Sequence, residues 1–221
     1  AKLVDGDVRI NQVGTWHSKS GILAMIGDTI NAIPLDGGRP TPVTTLDAAR
    51  GETAHLFPSF LPDGRHFVYL ARSRRPEYDG TAYVMAIGGH TSIALFTSDS
   101  QVVYAAPGYL LYMLGNTLLA RGFDAASLRV TGEAIPIAEQ VERNTGSRRG
   151  AFTVSQTGVL AYRRPNESQL VWFHRDGRRL NTVGAPGHLR NPALSPDGTR
   201  VAVSQLDLKT GTWDIWLIEV A

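Results

Sequence analysis

Asn191-Pro-Ala-Leu-Ser-Pro-Asp-Gly-Thr-Arg-Val-Ala-Val-Ser204 has a counterpart earlier in the chain, Phe57-Pro-Ser-Phe-Leu-Pro-Asp-Gly-Arg-His-Phe-Val-Tyr-Leu70. Aligned on Asp-Gly, Pro58 falls on Pro192, Phe60 on Leu194, Pro62 on Pro196 and Tyr69 on Val203. Each copy reads as two short apolar strands joined by a hairpin, with the glycine at the position that requires φ > 0. Such a unit is too small to bury its own apolar face, so its recurrence predicts an array of stacked units.

The glycine then serves as a register mark for weaker copies. These are Ser18-Lys-Ser-Gly21, Ala105-Ala-Pro-Gly108 and Ser155-Gln-Thr-Gly158, each followed by an apolar alternating run. With Gly64 and Gly198, five turn glycines follow one another at spacings of 43, 44, 50 and 40 residues. A period of about 40–45 residues is that of a β-propeller blade, a four-stranded antiparallel sheet.

Third strands are predicted at Thr29–Leu35, Ala82–Ile87, Thr117–Phe123, Leu170–His174 and Trp213–Val220, from their β-branched and aromatic content. Fourth strands follow at Thr41–Leu46, Ser92–Thr97, Ala134–Ala138 and Leu180–Val183, the third after a longer excursion from Asp124 to Gly132. No fourth strand follows Val220, whereas Ala1–Asp5 has no blade of its own. The expectation is an all-β, five-bladed propeller forming a single domain over 1–221, with blades at about 6–46, 52–97, 101–138, 150–183 and 190–221. Residues 1–5 complete the last blade, close the ring and remove an exposed sheet edge.

Composition narrows the function classes. With 43% hydrophobic residues in 221, the chain can bury a full core. No apolar run approaches the length of about 20 residues that spans a bilayer, and Ala1-Lys-Leu-Val-Asp5 lacks a signal-peptide profile, so the chain reads as soluble with no direct membrane insertion. The absence of cysteine removes disulfides and thiolate metal sites. A net charge of +2 argues against a nucleic-acid partner.

Ser195-Pro-Asp-Gly-Thr-Arg-Val-Ala-Val203, followed by Asp214-Ile-Trp-Leu217, resembles the TolB-like, WD-type propeller repeat. More narrowly, Gly51-Glu-Thr-Ala-His55 running into Phe57–Tyr69 resembles the C-terminal propeller region of bacterial receptor-type serine/threonine kinases. Ala161-Tyr-Arg163, Leu170-Val-Trp-Phe173 and Gly211-Thr-Trp-Asp-Ile-Trp216 are similar to later segments of that region. The resemblance implies a propeller on the extracytoplasmic side. It carries no kinase activity, because the glycine-rich loop, His-Arg-Asp and Asp-Phe-Gly signatures are missing.

In a propeller, the Asp-Gly hairpins and the third-to-fourth turns share one face, which takes Asp36, Asp63, Asp124, Asp176 and Asp197. The opposite face takes Arg9, Arg72, Arg74, Arg75, Arg143, Arg148, Arg149, Arg163, Arg164, Arg190 and Lys209. These cations read either as a surface for a protein or anionic small-molecule ligand, or as solvated side chains paired with Glu52, Glu77, Glu142 or Glu167. Gln12, His55, Asp99, Arg149 and Leu189 lie nine residues before the turn glycines and are expected around the mouth of the channel, with His188 one step out and His17 further down a first strand. His55 and Asp99 there could assist a cation in a lactonase- or esterase-like hydrolase, but one histidine and one carboxylate do not make a ligand set. No metal or other cofactor is expected. There is no Gly-x-Ser-x-Gly elbow, and Trp16, Trp172, Trp213 and Trp216 are expected to pack between blades. The primary expectation is a non-enzymatic binding, sensing or scaffold module, present as a monomer or a strand-swapped oligomer.

Overall fold

The computed structural model describes residues 10–155 and 157–220, with only the backbone of 10–13. The predicted closing strand at Ala1–Asp5, and Arg9, lie outside the described residues. Every element among the described residues is a strand, and every pairing is antiparallel. The chain divides into two compact units, the first ending at Tyr162 and the second beginning at Arg163.

In the first unit, β1 (Ile10–His17), β2 (Gly21–Ile26), β3 (Thr29–Ile33) and β4 (Thr41–Pro42) form a sheet in sequence order. The strands β5 (Glu52–Phe60), β6 (His66–Ser73), β7 (Thr81–Ala86) and β8 (Ile93–Thr97) form a second sheet. A third contains β9 (Val103–Ala105), β10 (Tyr109–Leu114), β11 (Thr117–Asp124) and β12 (Arg129–Ala138). Two hairpins complete the unit: β13 (Arg143–Asn144) with β14 (Arg149–Gly150), and β15 (Phe152–Val154) with β16 (Leu160–Tyr162). In the second unit β17 (Ser168–Phe173) pairs with β18 (Arg179–Gly187), and β19 (Leu189–Leu194), β20 (Arg200–Leu206) and β21 (Trp213–Glu219) form a three-stranded sheet.

All five register glycines, Gly21, Gly64, Gly108, Gly158 and Gly198, have positive φ and lie at the turns that join paired first and second strands, Gly21 as the first residue of β2. The two strong copies agree beyond the turn. Asp63 Oδ1 accepts the Arg65 and His66 amides at 3.0 and 2.9 Å; Asp197 Oδ1 accepts the Thr199 amide at 3.0 Å and the Ser195 hydroxyl at 2.6 Å. Those bonds, the Ser195 hydroxyl foremost, draw the Asp197 pKa down to about 2. Phe57 and Asn191 occupy the same register position, and both have positive φ, 53° and 51°. There the first strand bulges, with Phe57-Pro58 set against Tyr69 and Asn191-Pro192 against Val203. Proline has no amide hydrogen to give to a ladder, so a bulge is where a strand can hold it.

Sheet-on-sheet burial explains why the unit repeats. Side chains alternate along a strand, so Phe67, Tyr69 and Ala71 face one way and pack with Leu23 and Ile30 of the first sheet. Val68 and Leu70 face the other way and join Leu110, Tyr112 and Phe123 of the third. Leu111, Met113 and Leu118 on the third sheet's far side meet Phe152, with Val154 and Leu160 alongside. In the second unit the buried apolar residues are Val183, Val201 and Val203.

Three expectations change. The excursion from Asp124 is a tight hairpin, because β12 begins at Arg129 and continues to Ala138. The 50-residue spacing instead contains β13–β14, an added hairpin between the third sheet and β15. Trp16 and Trp216 do not pack between sheets, being 70% and 53% exposed. Thr15 Oγ1 accepts the Phe60 amide at 3.4 Å and the His17 ring covers Gly64, so alternation turns Trp16 to the other side.

The matched glycines separate two costs. A Cβ at Gly64 would lie 2.3–2.8 Å from the His17 ring, whereas one at Gly198 would meet nothing within 4 Å. Gly198→Ala should lose about 1 kcal/mol through the positive φ alone, and Gly64→Ala about 1–3 kcal/mol more through overpacking. Adding His17→Ala should restore part of the second loss. Denaturant midpoints of the four proteins check this, and equal losses for the two glycine variants would refute it.

Candidate functional site

The loop from β6 to β7 carries Arg74 and Arg75, and Arg72 lies at the end of β6. Short hydrogen bonds fix its backbone against residues 47–51. The Ser73 hydroxyl donates to the Arg50 and Gly51 carbonyls at 2.6 and 3.2 Å and accepts the Arg75 amide at 2.8 Å. The Arg74 amide donates to Gly51 O at 3.0 Å. Arg75 serves the loop itself: Nη1 donates to Ala49 O at 2.7 Å, Nε meets Glu77 at 3.1 Å, and the guanidinium covers the Tyr78 ring.

A second loop joins this one. Asp79 Oδ1 accepts the Ser73 amide at 3.0 Å, while Oδ2 pairs with Arg148 from the β13–β14 hairpin, 69 positions away in sequence. The hairpin is held from beneath by Gln101. Its side-chain amide donates to Gly150 O and accepts the Gly150 amide, both at 2.8 Å. A buried side chain thus substitutes for a neighbouring strand, leaving no Gly150 backbone group unpaired. Arg143 Nε donates to Gly115 O at 3.1 Å and fixes the hairpin's other limb.

Of the predicted cations here, Arg75, Arg143 and Arg148 are therefore structural. Arg72, Arg74 and Arg149 are exposed, and no other described residue pairs with their side chains. The end of β6, the loop after it and the β13–β14 hairpin thus present three guanidinium groups that pair with no side chain among the described residues.

His55 is not at an open channel mouth. It is 1% exposed, and its Nε2 lies 2.9 Å from Glu52 Oε2, an oxygen that also accepts the Asp47 amide at 2.7 Å. A carboxylate can only accept, so Nε2 carries the proton; Nδ1 is then a buried acceptor with no donor. Burial lowers the His55 pKa, and the Glu52 bond and charge offset only part of that. The ring lies 4.8 Å from that of Tyr69, whose hydroxyl burial pushes up to about 12. Tyr69 stacks on Tyr83, whose oxygen accepts Arg50 Nη1 at 2.8 Å. Asp99 is occupied as well: its Oδ2 accepts the Gly115 amide at 2.7 Å. Among the described residues, no three His, Asp or Glu side chains are grouped as cation ligands would be. His17, also considered for the channel, is at the Gly64 turn, with Nδ1 3.2 Å from Ser20 Oγ.

In the second unit, His188 Nδ1 lies 3.0 Å from Asn166 O, and Arg190 stacks over Trp213 at 4.2 Å. Arg163 and Arg164 are exposed. Sequence reasoning found the arginines, but it missed Glu52 as the partner of His55, Asp79 as the partner of Arg148, and the role of Gln101. Three residues apart on a regular strand face opposite ways, and it is the irregular register between Glu52 and Ala54 that brings Glu52 to His55; Gln101 gave no local signal.

All-β architecture and antiparallel four-stranded sheets stacked face to face define a β-propeller type of protein. No protein-family model matches the chain, and no curated protein matches it. Solved structures match over nearly its whole length. A gluconolactonase from Xanthomonas campestris is 12% identical, with a TM-score of 0.50 over 94% of this chain and 71% of that one. TolB from Acinetobacter baumannii is 17% identical, also at 0.50, over 95% of this chain and 54% of the other. These likenesses establish the β-propeller fold; the kinase-associated resemblance gains nothing from them.

The Arg148–Asp79 pair is less than a third exposed on either side, so solvent screens it incompletely. A double-mutant cycle with Arg148→Ala and Asp79→Ala should return a coupling of about 0.5–3 kcal/mol. Additive losses would show that the two loops are not joined through this pair.

Proposed function

We propose that the chain is a recognition propeller that holds an acidic peptide segment of a partner protein through Arg72, Arg74 and Arg149. One observation carries the reading: these three side chains are exposed and pair with no described residue, on or beside connections held in place by Arg75, Arg148, Ser73 and Gln101. A cationic surface fixed in advance loses little freedom on binding, and guanidinium groups meet carboxylates through paired hydrogen bonds. Exposed arginines on separate loops suit an extended segment that can reach all of them, whereas a small molecule favours a concave site.

The test is fluorescence anisotropy with a labelled hexa-aspartate peptide. Binding should weaken steeply with salt, and Arg72→Ala/Arg74→Ala/Arg149→Ala should weaken it at least about tenfold, or 1.4 kcal/mol. Equal affinity of the triple variant and the parent would end the proposal.

The fold likeness to a gluconolactonase supports a second reading, a metal-assisted lactonase or esterase, at least as well as it supports a binding module. His55 and Asp99 do not identify its site, because Glu52 occupies Nε2 of the first and the Gly115 amide Oδ2 of the second. Lactone hydrolysis that appears with added divalent cation, stops with chelator and survives the triple arginine change would replace the recognition reading.

We also propose that the propeller has five blades, with residues 1–5 as the fourth strand beside β21. The first three sheets have four strands, whereas β19–β20–β21 has three, and Ile215, Trp216 and Leu217 on its last strand are 81%, 53% and 64% exposed. The full chain should sediment at the mass of one copy, and removing residues 1–5 should cause it to self-associate. Monomeric behaviour of both proteins would refute this closure.

A further inference from the structure

The buried pair at Glu52 and His55 supports the arginine loop through a continuous chain of hydrogen bonds. Glu52 Oε2 holds the Asp47 amide, and the Glu52 amide returns to Asp47 O at 3.1 Å, closing the loop at residues 47–51. Asp47 Oδ1 accepts the Ala49 amide at 2.8 Å and its Oδ2 meets Arg50 Nε at 3.3 Å, giving the loop its shape. The carbonyls of Ala49, Arg50 and Gly51 then receive Arg75, Ser73 and Arg74. The position of 73–75 is thus set by carbonyls whose own position depends on Glu52.

Glu52 is held in turn by a histidine with one satisfied nitrogen. With Nε2–H donated to Glu52, a proton taken up from solvent can go only to Nδ1, where no acceptor lies within reach. A charged donor that is buried without a partner is strongly disfavoured. Glu52 on its own strand and Tyr69 on β6 face the ring; the titratable and charged groups next to those two are Asp47 and Arg50 in the loop and Tyr83 on β7. From the neighbouring sheet the nearest link is the carbonyl of Asp28, which accepts the His55 amide at 2.9 Å. None of these places an acceptor at Nδ1.

We propose that His55 is an acid-sensitive latch for the arginine loop: protonation at Nδ1 expels the ring, frees Glu52 from the Asp47 amide, and releases 47–51 and 73–75 together. The sign follows from the depressed pKa. Anchoring is complete above the ordinary histidine value of 6.5 and is lost as pH falls through the lower folded-state value. Its consequence for acidic-peptide binding rests on the recognition reading; release of the loop does not.

Amide hydrogen exchange by NMR between about pH 5 and 8 reads the latch without any ligand. Below pH 6.5 the Asp47 and Arg74 amides should lose protection by up to about tenfold per pH unit beyond the change in chemical exchange rate. His55→Gln keeps a donor toward Glu52 but does not titrate, and its loop should stay protected throughout. The ring titration of His55 in the parent protein gives a second measurement that needs no variant, and its midpoint should coincide with that of loop release. Protection that ignores pH, or release that follows another group's titration, overturns the latch. If hexa-aspartate fails to bind while release still follows His55, the recognition reading falls and the latch stands.

Discussion

A four-stranded antiparallel sheet whose inner strands are apolar on both faces has to be covered on both sides, and this requirement shapes the first unit. Phe67, Tyr69 and Ala71 are buried against one neighbour and Val68 and Leu70 against the other. No single sheet satisfies that demand, so the chain meets it by repetition, each sheet covering the next. The loops that join strands are consequently held at both ends by rigid strands, which is what allows short connections such as 47–51, between two sheets, and 74–80, within one, to be ordered by a few hydrogen bonds.

Those connections also show how charge is divided between structure and surface. Arg75 and Arg148 lie beside Arg74 and Arg149 in sequence, yet the first pair is committed to carbonyls and carboxylates and the second extends into solvent. Composition alone would count all four as equivalent. The difference is made by Asp79, which accepts from Ser73 and Arg148 at once, and by the Gln101 side chain, which supports the hairpin carrying Arg148.

The architecture was legible because its signals are local and periodic. Third strands predicted at Thr29–Leu35 and Ala82–Ile87 correspond to β3 at Thr29–Ile33 and β7 at Thr81–Ala86, and all five register glycines have positive φ. The β13–β14 hairpin escaped because it pairs two residues with two and is completed by a side chain 49 positions upstream. The site was legible in residue type but not in role. His55 and Asp99 were recognisable as chemically capable groups, whereas the burial of His55, the strand irregularity that brings Glu52 to it and the Gly115 contact of Asp99 are set by how strands pair and pack. Trp16 failed for a simpler reason: strand membership does not say which face a side chain takes.

The paired bulges bear on how a chain with internal copies avoids confusing them. Phe57-Pro58 and Asn191-Pro192 each place two residues opposite one. A slip of one residue would move the proline into a ladder position with no hydrogen to offer and would turn every buried side chain outward. The bulge therefore acts as a checksum on pairing: a first strand fits its second strand only in the register that gives the proline its place. Two hairpins alike enough to be mistaken for each other are thereby protected against misregistration by the same irregularity that makes them alike.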